Sequence, residues 1–168
     1  MNNKKYYPLY CQFCGSKNLN KLIYDSAFKC PLCNRITYLN SKPSVCAVII
    51  RNQNVLLISE SDLIDKTWDL PGGFLLYGES PEDGLKRELR EELNANIKVE
   101  QLLTVLIDVY GSLAEYTLNL FYKVILLSNE VQPSAEIKET KWFNIKNLPK
   151  CKYKSTYYVL SNINSYLK

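Results

Sequence analysis

The chain contains no histidine among its 168 residues. This absence removes imidazole as a general base, as a nucleophile and as a metal ligand. Any acid–base chemistry must therefore come from Asp, Glu, Lys, Tyr or Cys side chains. Any metal site must be built from carboxylates or thiolates.

Long apolar runs are also missing from the sequence. No stretch approaches the ~20 consecutive apolar residues that a membrane-spanning helix needs. No apolar run follows a basic start at the N-terminus, so the sequence shows no signal peptide. We therefore expect a cytoplasmic protein without membrane association, in agreement with its free-thiol pattern.

Charge is spread unevenly along the chain, although the net charge is only +4. Up to Pro43, seven Lys and Arg residues stand against Asp25 alone, and from Lys138 onward the Lys residues face only Glu139. An acidic stretch, residues 79–100, lies between these basic flanks. The arrangement suits a site that holds metal ions and receives a phosphate-bearing substrate. For most of the individual Lys residues, solvation of a small protein is the simpler interpretation.

The composition changes near residue 40. Residues 1–40 are rich in Cys, Lys, Asn and Tyr, and the polar, proline-bounded segment 40–43 indicates a linker. Short, β-branched-rich apolar runs follow it, as is typical of strands. We therefore predict two domains, residues 1–40 and residues 41–168.

The second domain is predicted to combine strands with a few helices. Residues 45–50 and 55–58 indicate a hairpin. Residues 80–93 indicate a helix, with Ser80 as its N-cap, Pro81 at its first position and Asp83 at the capping-box position. Three more candidate strands and a closing helix span residues 102–107, 118–127, 137–143 and 155–167. Because strands outnumber helices and the elements are mixed, the pattern favours an α+β fold or an α/β/α sandwich.

Four of the six cysteines form two CxxC pairs separated by 15 residues: Cys11 with Cys14, and Cys30 with Cys33. This spacing matches a four-thiolate zinc site, since each CxxC supplies two ligands from one tight turn. Two disulfides or four unrelated thiols are the alternatives, but the chain shows no secretion signal. Four protein ligands leave no open coordination position. We therefore expect a structural Zn²⁺ that stabilises a segment too short to fold alone.

The two remaining cysteines lie outside this pattern. Cys46 falls in an apolar strand and is expected to be a buried small residue. Cys151 is interpreted only as a free thiol.

The predicted helix carries a cluster of carboxylates. Glu88, Glu91 and Glu92 are spaced i, i+3, i+4 and share one side. Three clustered carboxylates raise each other's pKa unless a cation is present, and Mg²⁺ or Mn²⁺ favours such oxygen ligands. An adjoining apolar stripe on the helix consists of Leu85, Leu89 and Leu93. We expect the three basic residues of the helix to point elsewhere: Lys86, Arg87 and Arg90.

Two glycines before this helix shift the balance toward a functional site. Gly72 and Gly73 have no Cβ atoms, so main chain there can approach a substrate or metal. A glutamate triplet alone would suit a solvated helix face. Together with the glycines, Glu79 and Arg87 at their fixed offsets favour a metal site instead.

The segment from Gly73 to Ala95 resembles the Nudix signature. That signature runs Gly, five residues, Glu, seven residues, Arg-Glu-aliphatic, one residue, Glu-Glu, one residue, Gly, aliphatic. The chain matches it at Gly73, Glu79, Arg87, Glu88, Leu89, Glu91 and Glu92. It departs at Asn94, where the family has Gly, and weakly at Ala95; Asn is the next-best residue for a left-handed helix end. Trp68, Glu136 and Trp142 extend the resemblance over most of residues 43–149.

The resemblance implies a Nudix α/β/α sandwich with a mixed sheet, preceded by a small zinc ribbon as in the NADH pyrophosphatase branch. It implies that Glu88, Glu91 and Glu92 bind divalent Mg²⁺ or Mn²⁺, that Glu136 is an additional ligand, and that Glu79 pairs with Arg87. Phe74 matches an aromatic that stacks on a substrate base. Glu92 is the first choice for the general base and Glu139 the second.

The resemblance also implies the reaction: water attacks phosphorus in a nucleoside diphosphate linked to another group. The branch that cleaves NADH and NAD-type RNA caps carries a Ser-Gln-Pro-Trp run downstream. The corresponding residues 106–114 lack it, which favours ADP-ribose or a nucleotide sugar. The alternatives are an NADH or NAD-cap pyrophosphatase, and a nucleotide- or RNA-binding regulator with little catalysis. The intact glutamate set argues against the regulator.

The expected partner is a small nucleotide substrate, and the sequence leaves open a homodimer and contact with nucleic acid. Basic residues near the N-terminus stand among Tyr6, Tyr7, Tyr10 and Phe13, which could stack bases. Packing and solubility of the ribbon are the simpler interpretation of these residues.

Overall fold

The computed structural model describes residues 8–17, 19–21, 26–64, 66–111, 115–128 and 130–166. The chain divides into two compact units, Met1–Ser41 and Lys42–Lys168. Lys42 and Pro43, expected in a linker, already belong to the first strand of the second unit. Tyr6, Tyr7 and Asp25 lie outside the described residues, as do residues 112–114 of the segment compared with the Ser-Gln-Pro-Trp run.

The first unit contains a small antiparallel sheet that the sequence pattern did not predict. Its strands are β1 (Asn20–Lys21), β2 (Ala27–Lys29) and β3 (Ile36–Tyr38), in that order across the sheet. Strands of two or three residues are too short to show a period-two apolar pattern, so sequence periodicity gives no signal for them.

The second unit is built on a six-stranded mixed sheet. Its strands are β4 (Lys42–Arg51), β5 (Asn54–Ser59), β6 (Gly72–Phe74), β7 (Ile97–Tyr110), β8 (Glu115–Leu126) and β9 (Glu139–Asn144). They lie in the order β7-β8-β4-β5-β9, with β6 paired to β4. The β4–β8 pair is parallel and the other pairs are antiparallel. The predicted mixed sheet is therefore confirmed.

Helices cover both faces of this sheet. They are α1 (Pro81–Leu93), α2 (Lys154–Ser161) and α3 (Ile163–Tyr166). Alternate residues of β4 point to opposite sides: Val45 and Ala47 pack with the leucines of α1, whereas Val48 packs with Val159 of α2. This layering confirms the α/β/α sandwich. None of the helices among the described residues has the length and apolar composition needed to span a bilayer.

The predicted hairpin is confirmed, since β4 and β5 pair antiparallel with Ile50 opposite Val55. Asn52 and Gln53 form its turn with φ of 49° and 62°. Two consecutive left-handed residues are the geometry of a tight two-residue hairpin, which matches the twist of the flanking strands.

Predicted and observed boundaries differ in β7, β9 and the closing helix, among other elements. The strand placed at 102–107 is the middle of the fourteen-residue β7, whose polar residues Lys98, Gln101 and Asp108 hide its extent from an apolar-run criterion. The strand placed at 137–143 begins at Glu139. The closing helix is two helices interrupted at Asn162, and Leu167 lies outside the described residues.

Candidate active site

Helix α1 is fixed by its buried stripe and by both ends. Leu85, Leu89 and Leu93 have no exposed surface. The Ser80 hydroxyl caps the N-terminus by accepting from the Asp83 backbone N–H at 3.2 Å. Asn94 adopts φ of 49° at the C-terminus, and its N–H donates to the Arg90 carbonyl at 3.0 Å. The replacement of the signature's Gly by Asn is therefore accommodated by a left-handed helix end.

Arg87 lies among the carboxylates of the helix, so the expectation that it would point elsewhere is wrong. Its Nε and Nη2 donate to the two carboxylate oxygens of Glu79 at 2.8 and 2.9 Å, and Nη1 donates to Glu88 and Glu91 at 2.8 and 2.9 Å. Nη2 also donates to the Phe74 carbonyl at 3.0 Å. A long side chain can reach around the helix surface, which a count of residues per turn does not capture.

The Glu79–Arg87 pair ties the loop before α1 to the helix. Hydrogen bonds from Arg87, together with the backbone N–H of Leu76, hold the pKa of Glu79 down at about 2. Gly84 leaves room for this carboxylate, since a Cβ there would lie 2.9 Å from Glu79 Oε2. The bidentate hydrogen bonds between the guanidinium and the carboxylate fix the position of the loop relative to the helix.

Gly72 and Gly73 bring main chain against the helix carboxylates. Gly72 has φ of 139°, and a Cβ there would meet the Val45 carbonyl oxygen at 2.0 Å. A Cβ on Gly73 would lie 2.6 Å from the Glu88 carboxyl carbon. The Gly72 N–H donates to Glu92 Oε2 at 2.8 Å. Two of the three glutamates therefore lie against strand β6, and a side chain at position 72 would clash with the Val45 main chain.

The electrostatics of Glu88 and Glu92 suit a cation. Burial raises the pKa of Glu92 to about 8, opposed by the Gly72 N–H and reinforced by the negative charge of Glu88. Burial also raises the pKa of Glu88, against the opposing effect of Arg87. A divalent cation would offset both the desolvation and the repulsion, and carboxylate oxygens are its preferred ligands.

Glu91, Glu136 and Glu139 are the other carboxylates predicted for the site. Glu91 is exposed and bonded to Arg87. Glu136 is exposed on a loop held near the end of α1, because the Ser134 N–H donates to the Glu92 carbonyl and Ile137 is buried in the same core. Glu139 begins β9 and forms an ion pair with Lys66. No hydrogen bond within the described residues joins Glu136 or Glu139 to the α1 carboxylates.

A pocket beside the glycines was not predicted from the sequence. It has a cavity volume of about 140 Å³ and is bordered by Gly72, Gly73 and Phe74 on one side. The Phe74 ring packs edge-on against Tyr110 at 5.0 Å between centroids, and Tyr110 lies 6.0 Å from Tyr153. Three rings from β6, β7 and the start of α2 thus border one cavity. The residues are far apart in sequence, so no local pattern joins them.

Two acids shape the same pocket. Burial raises the pKa of Asp69 to about 6, although the Thr156 hydroxyl donates to its carboxylate at 2.6 Å. Asp108 accepts the Ser155 backbone N–H at 2.7 Å and so holds the start of α2. The sequence signal that could have identified Asp108 is its position between the apolar pairs Leu106-Ile107 and Val109-Tyr110.

Cys46 and Cys151 lie in the second unit. Cys46 borders the pocket and is only partly buried, so it is less enclosed than the predicted buried small residue, and desolvation still raises the pKa of its thiol well above the usual value. Cys151 is a free thiol that packs against the core beside α2.

The four cysteines of the first unit converge. Their sulfur atoms all lie within 4.8 Å of one another, with Cys11 and Cys33 at 3.7 Å and Cys14 and Cys30 at 3.6 Å. Disulfides would need ~2.05 Å, whereas tetrahedral zinc with ~2.3 Å bonds separates sulfurs by ~3.8 Å. The backbone N–H of Cys33, with that of Leu32, lowers the pKa of Cys30 to about 6. The geometry and the thiolate-favouring amides fit a tetrahedral metal.

A family model described as the NUDIX domain matches residues 40–163. The chain belongs to the Nudix family. Two relatives of this Nudix chain are an NAD-capped RNA hydrolase from Pseudomonas putida, 28% identical over 145 residues, and an ADP-ribose pyrophosphatase from Methanocaldococcus jannaschii, 29% identical over 114 residues. The matches cover 82% of the chain and 50% of the first relative, and 67% of the chain and 68% of the second.

Among solved structures, a Nudix hydrolase from Nitrosomonas europaea superposes with a TM-score of 0.72 over 93% of this chain and 92% of its own, at 23% identity. That likeness shows the fold. The Nudix chain spans about half the length of the NAD-capped RNA hydrolases that it matches.

Proposed function

We propose that the chain is a divalent-metal-dependent pyrophosphohydrolase that cleaves a nucleoside diphosphate linked to another group, with ADP-ribose or a nucleotide sugar preferred over NADH. The observation that carries the proposal is the contact of Glu88 and Glu92 with the Gly72–Gly73 main chain at the edge of an aromatic pocket. A diphosphate beside the glycines would place its nucleoside within reach of that pocket.

Glu88, Glu91 and Glu92 are the proposed ligands for Mg²⁺ or Mn²⁺, with Glu136 as a further ligand from the loop after β8. Such a cation supplies charge neutralisation at the diphosphate and acidifies the attacking water. Glu92 is the proposed general base, because its carboxylate is held beside the Gly72 main chain, and Glu139 is the second choice. Glu79 and Arg87 position the loop, and the Gly72 N–H orients the Glu92 carboxylate.

Phe74 is the proposed platform for the base, with Tyr110 and Tyr153 completing the pocket. Stacking on one aromatic ring is worth ~1–3 kcal/mol per base. A substrate with one base and one diphosphate uses this pocket and the carboxylates together. The absence of the Ser-Gln-Pro-Trp run favours such a substrate over a dinucleotide.

The cysteine cluster is the proposed site of a structural Zn²⁺ held by Cys11, Cys14, Cys30 and Cys33. With four thiolate ligands its coordination would be complete, so it would take no part in hydrolysis.

Hydrolysis of NADH or of an NAD cap on RNA is the second candidate function. The similarity to NAD-capped RNA hydrolases over 82% of this chain favours it. In that case Tyr110, Tyr116 or a partner subunit would have to replace the missing run.

Side-by-side kinetics on ADP-ribose, NADH and a nucleoside triphosphate test the proposal. We expect the highest kcat/KM for ADP-ribose or another nucleotide sugar. Phe74→Ala should mainly raise KM, by about fivefold or more, because one base stack is lost. Tyr77→Ala is the matched control, since Tyr77 is a fully exposed aromatic on the adjoining loop. A clear preference for NADH would establish the second candidate, and a preference for triphosphates would contradict both.

A further inference from the structure

The two cysteine loops of the first unit present an aromatic ring and a guanidinium to solvent. In both loops a backbone N–H returns to the first cysteine's carbonyl at 2.9 Å, from Gly15 and from Asn34. Both of these residues are left-handed, with φ of 71° and 59°. Phe13 lies within the first loop, Arg35 follows the second, and the Arg35 guanidinium stands 4.7 Å over the Phe13 ring.

A second pair repeats this arrangement beside the first loop. Tyr10 and Lys17 face each other across an antiparallel bridge, and the Lys17 ammonium lies 5.6 Å from the centre of the Tyr10 ring. Tyr10 directly precedes Cys11, so both pairs are attached to the cysteine cluster. We call Tyr10, Phe13, Lys17 and Arg35 the ribbon patch.

Both aromatic residues of the ribbon patch keep about half of their surface open to solvent. Tyr10 is 52% exposed and Phe13 is 48% exposed. Packing of the ribbon, the simpler interpretation from sequence, would bury them. Solubility would account for the cations but not for exposed rings beneath them, since exposed aromatic surface opposes it.

Every charged side chain among the described residues of the first unit is positive. The described residues of the first unit include no Asp or Glu, and neither Lys17 nor Arg35 has an ion-pair partner among the described residues. Cations without an ion-pair partner in the described part of the chain, beside half-exposed aromatic rings, complement a flexible polyanion whose backbone carries charge and whose bases can stack.

We propose that the ribbon patch binds single-stranded nucleic acid, with Lys17 and Arg35 contacting phosphates and Phe13 and Tyr10 stacking bases. A duplex offers the phosphates but keeps its bases stacked internally, so it should bind more weakly. The proposal concerns residues of the first unit and none of the glutamates of α1, and it stands whichever nucleotide substrate the Nudix site cleaves.

Fluorescence anisotropy of the full chain, purified with zinc, tests the proposal with a labelled twelve-nucleotide RNA, the same sequence as DNA, and an RNA duplex. Phe13→Ala and Arg35→Ala should each weaken single-strand binding about fivefold or more. Arg35→Lys, which keeps the charge and loses the planar group, should weaken it less. Affinity should fall as salt rises, because released counterions drive binding to phosphates.

Lys98→Ala and Tyr157→Ala are the matched controls, since both residues are exposed on the second unit. Zinc content and ADP-ribose hydrolysis should stay unchanged in every variant, which shows that the ribbon is folded and separates this test from that of the catalytic proposal. Comparison of the RNA with the DNA strand shows which of the two the ribbon patch prefers. Binding unaffected by Phe13→Ala and Arg35→Ala, binding equal to that of the duplex, or no binding at all would overturn the proposal.

Discussion

At the scale of single residues, glutamates close together in sequence have opposite electrostatic environments. Glu79 faces a bidentate guanidinium that lowers its pKa to about 2, whereas burial raises the pKa of Glu92 to about 8. The motif spacing predicted which glutamates share a helix side. It could not predict their burial, because Glu92 is covered by the Gly72 main chain of a strand twenty residues earlier.

Burial of the Glu92 carboxylate should lower the free energy of unfolding of the metal-free protein, and Glu92→Gln should remove this destabilisation. An acid whose pKa is about 8 when folded and 4.5 when unfolded loses stability as pH rises between those values, because the unfolded chain ionises first. Metal-free Glu92→Gln should therefore melt ~2 °C or more above the unmodified protein at pH 8. The difference should shrink toward pH 5. Calorimetry measures the difference in Tm at both pH values.

Glu91→Gln is the matched control for this prediction, since Glu91 is exposed and one turn from Glu88 on the same helix. A Tm of Glu92→Gln below that of the unmodified protein at pH 8 would show that the buried carboxylate is stabilised by contacts rather than strained.

At the scale of elements, the sequence predicted those whose signal is local. The Ser80 cap, the leucine stripe and the helix-ending Asn94 are local features, and they are sufficient to identify α1 in the sequence. Strand β6 was not predicted because three residues are too few to show a periodicity. The aromatic pocket was not predicted because β6, β7 and the start of α2 come together only in the folded protein. Asp108 of β7 makes one of these long-range connections, to the start of α2.

Asp108→Ala should loosen the start of α2 and the pocket wall together. Helix α2 has no side-chain cap of its own, and Asp108 accepts the Ser155 N–H in place of one. Loss of a cap costs ~1 kcal/mol, and displacement of Tyr153 should raise KM with a smaller change in kcat. Asp108→Asn keeps a hydrogen-bond acceptor, so its stability and its KM should lie between those of Asp108→Ala and the unmodified protein. Denaturant unfolding measures the change in stability, and substrate kinetics measures the change in KM. An unchanged KM would show that Asp108 does not hold the pocket in its substrate-binding shape.

At the scale of the whole molecule, each unit has its own source of stability. The two apolar clusters lie entirely in the second unit, whereas the first is organised around four sulfur atoms. CxxC spacing predicted those sulfurs because the ligands of each pair are local. Sequence spacing does not reveal that Phe13, within the first cysteine loop, and Tyr10, just before it, stay about half exposed.

Elemental analysis of protein purified without added metal should find about one zinc per chain. Cys30→Ser should lose that zinc and the order of the first unit while the second unit keeps its fold, since none of the described residues of the first unit belongs to either apolar cluster. Cys151→Ser is the control, because Cys151 lies outside the cluster. Zinc retained by Cys30→Ser, or thiols found oxidised in pairs, would contradict the assignment.

The most direct test of the catalytic account is release of AMP from ADP-ribose by the unmodified protein, Glu88→Gln and Glu92→Gln at saturating Mg²⁺. The two variants keep side-chain size and remove charge. We predict a loss of roughly a hundredfold or more in kcat for each, with the fold intact by circular dichroism, and no turnover by the unmodified protein in EDTA. Near-normal turnover by both variants would contradict the account, because the carboxylates that contact Gly72 and Gly73 would then not be the metal site.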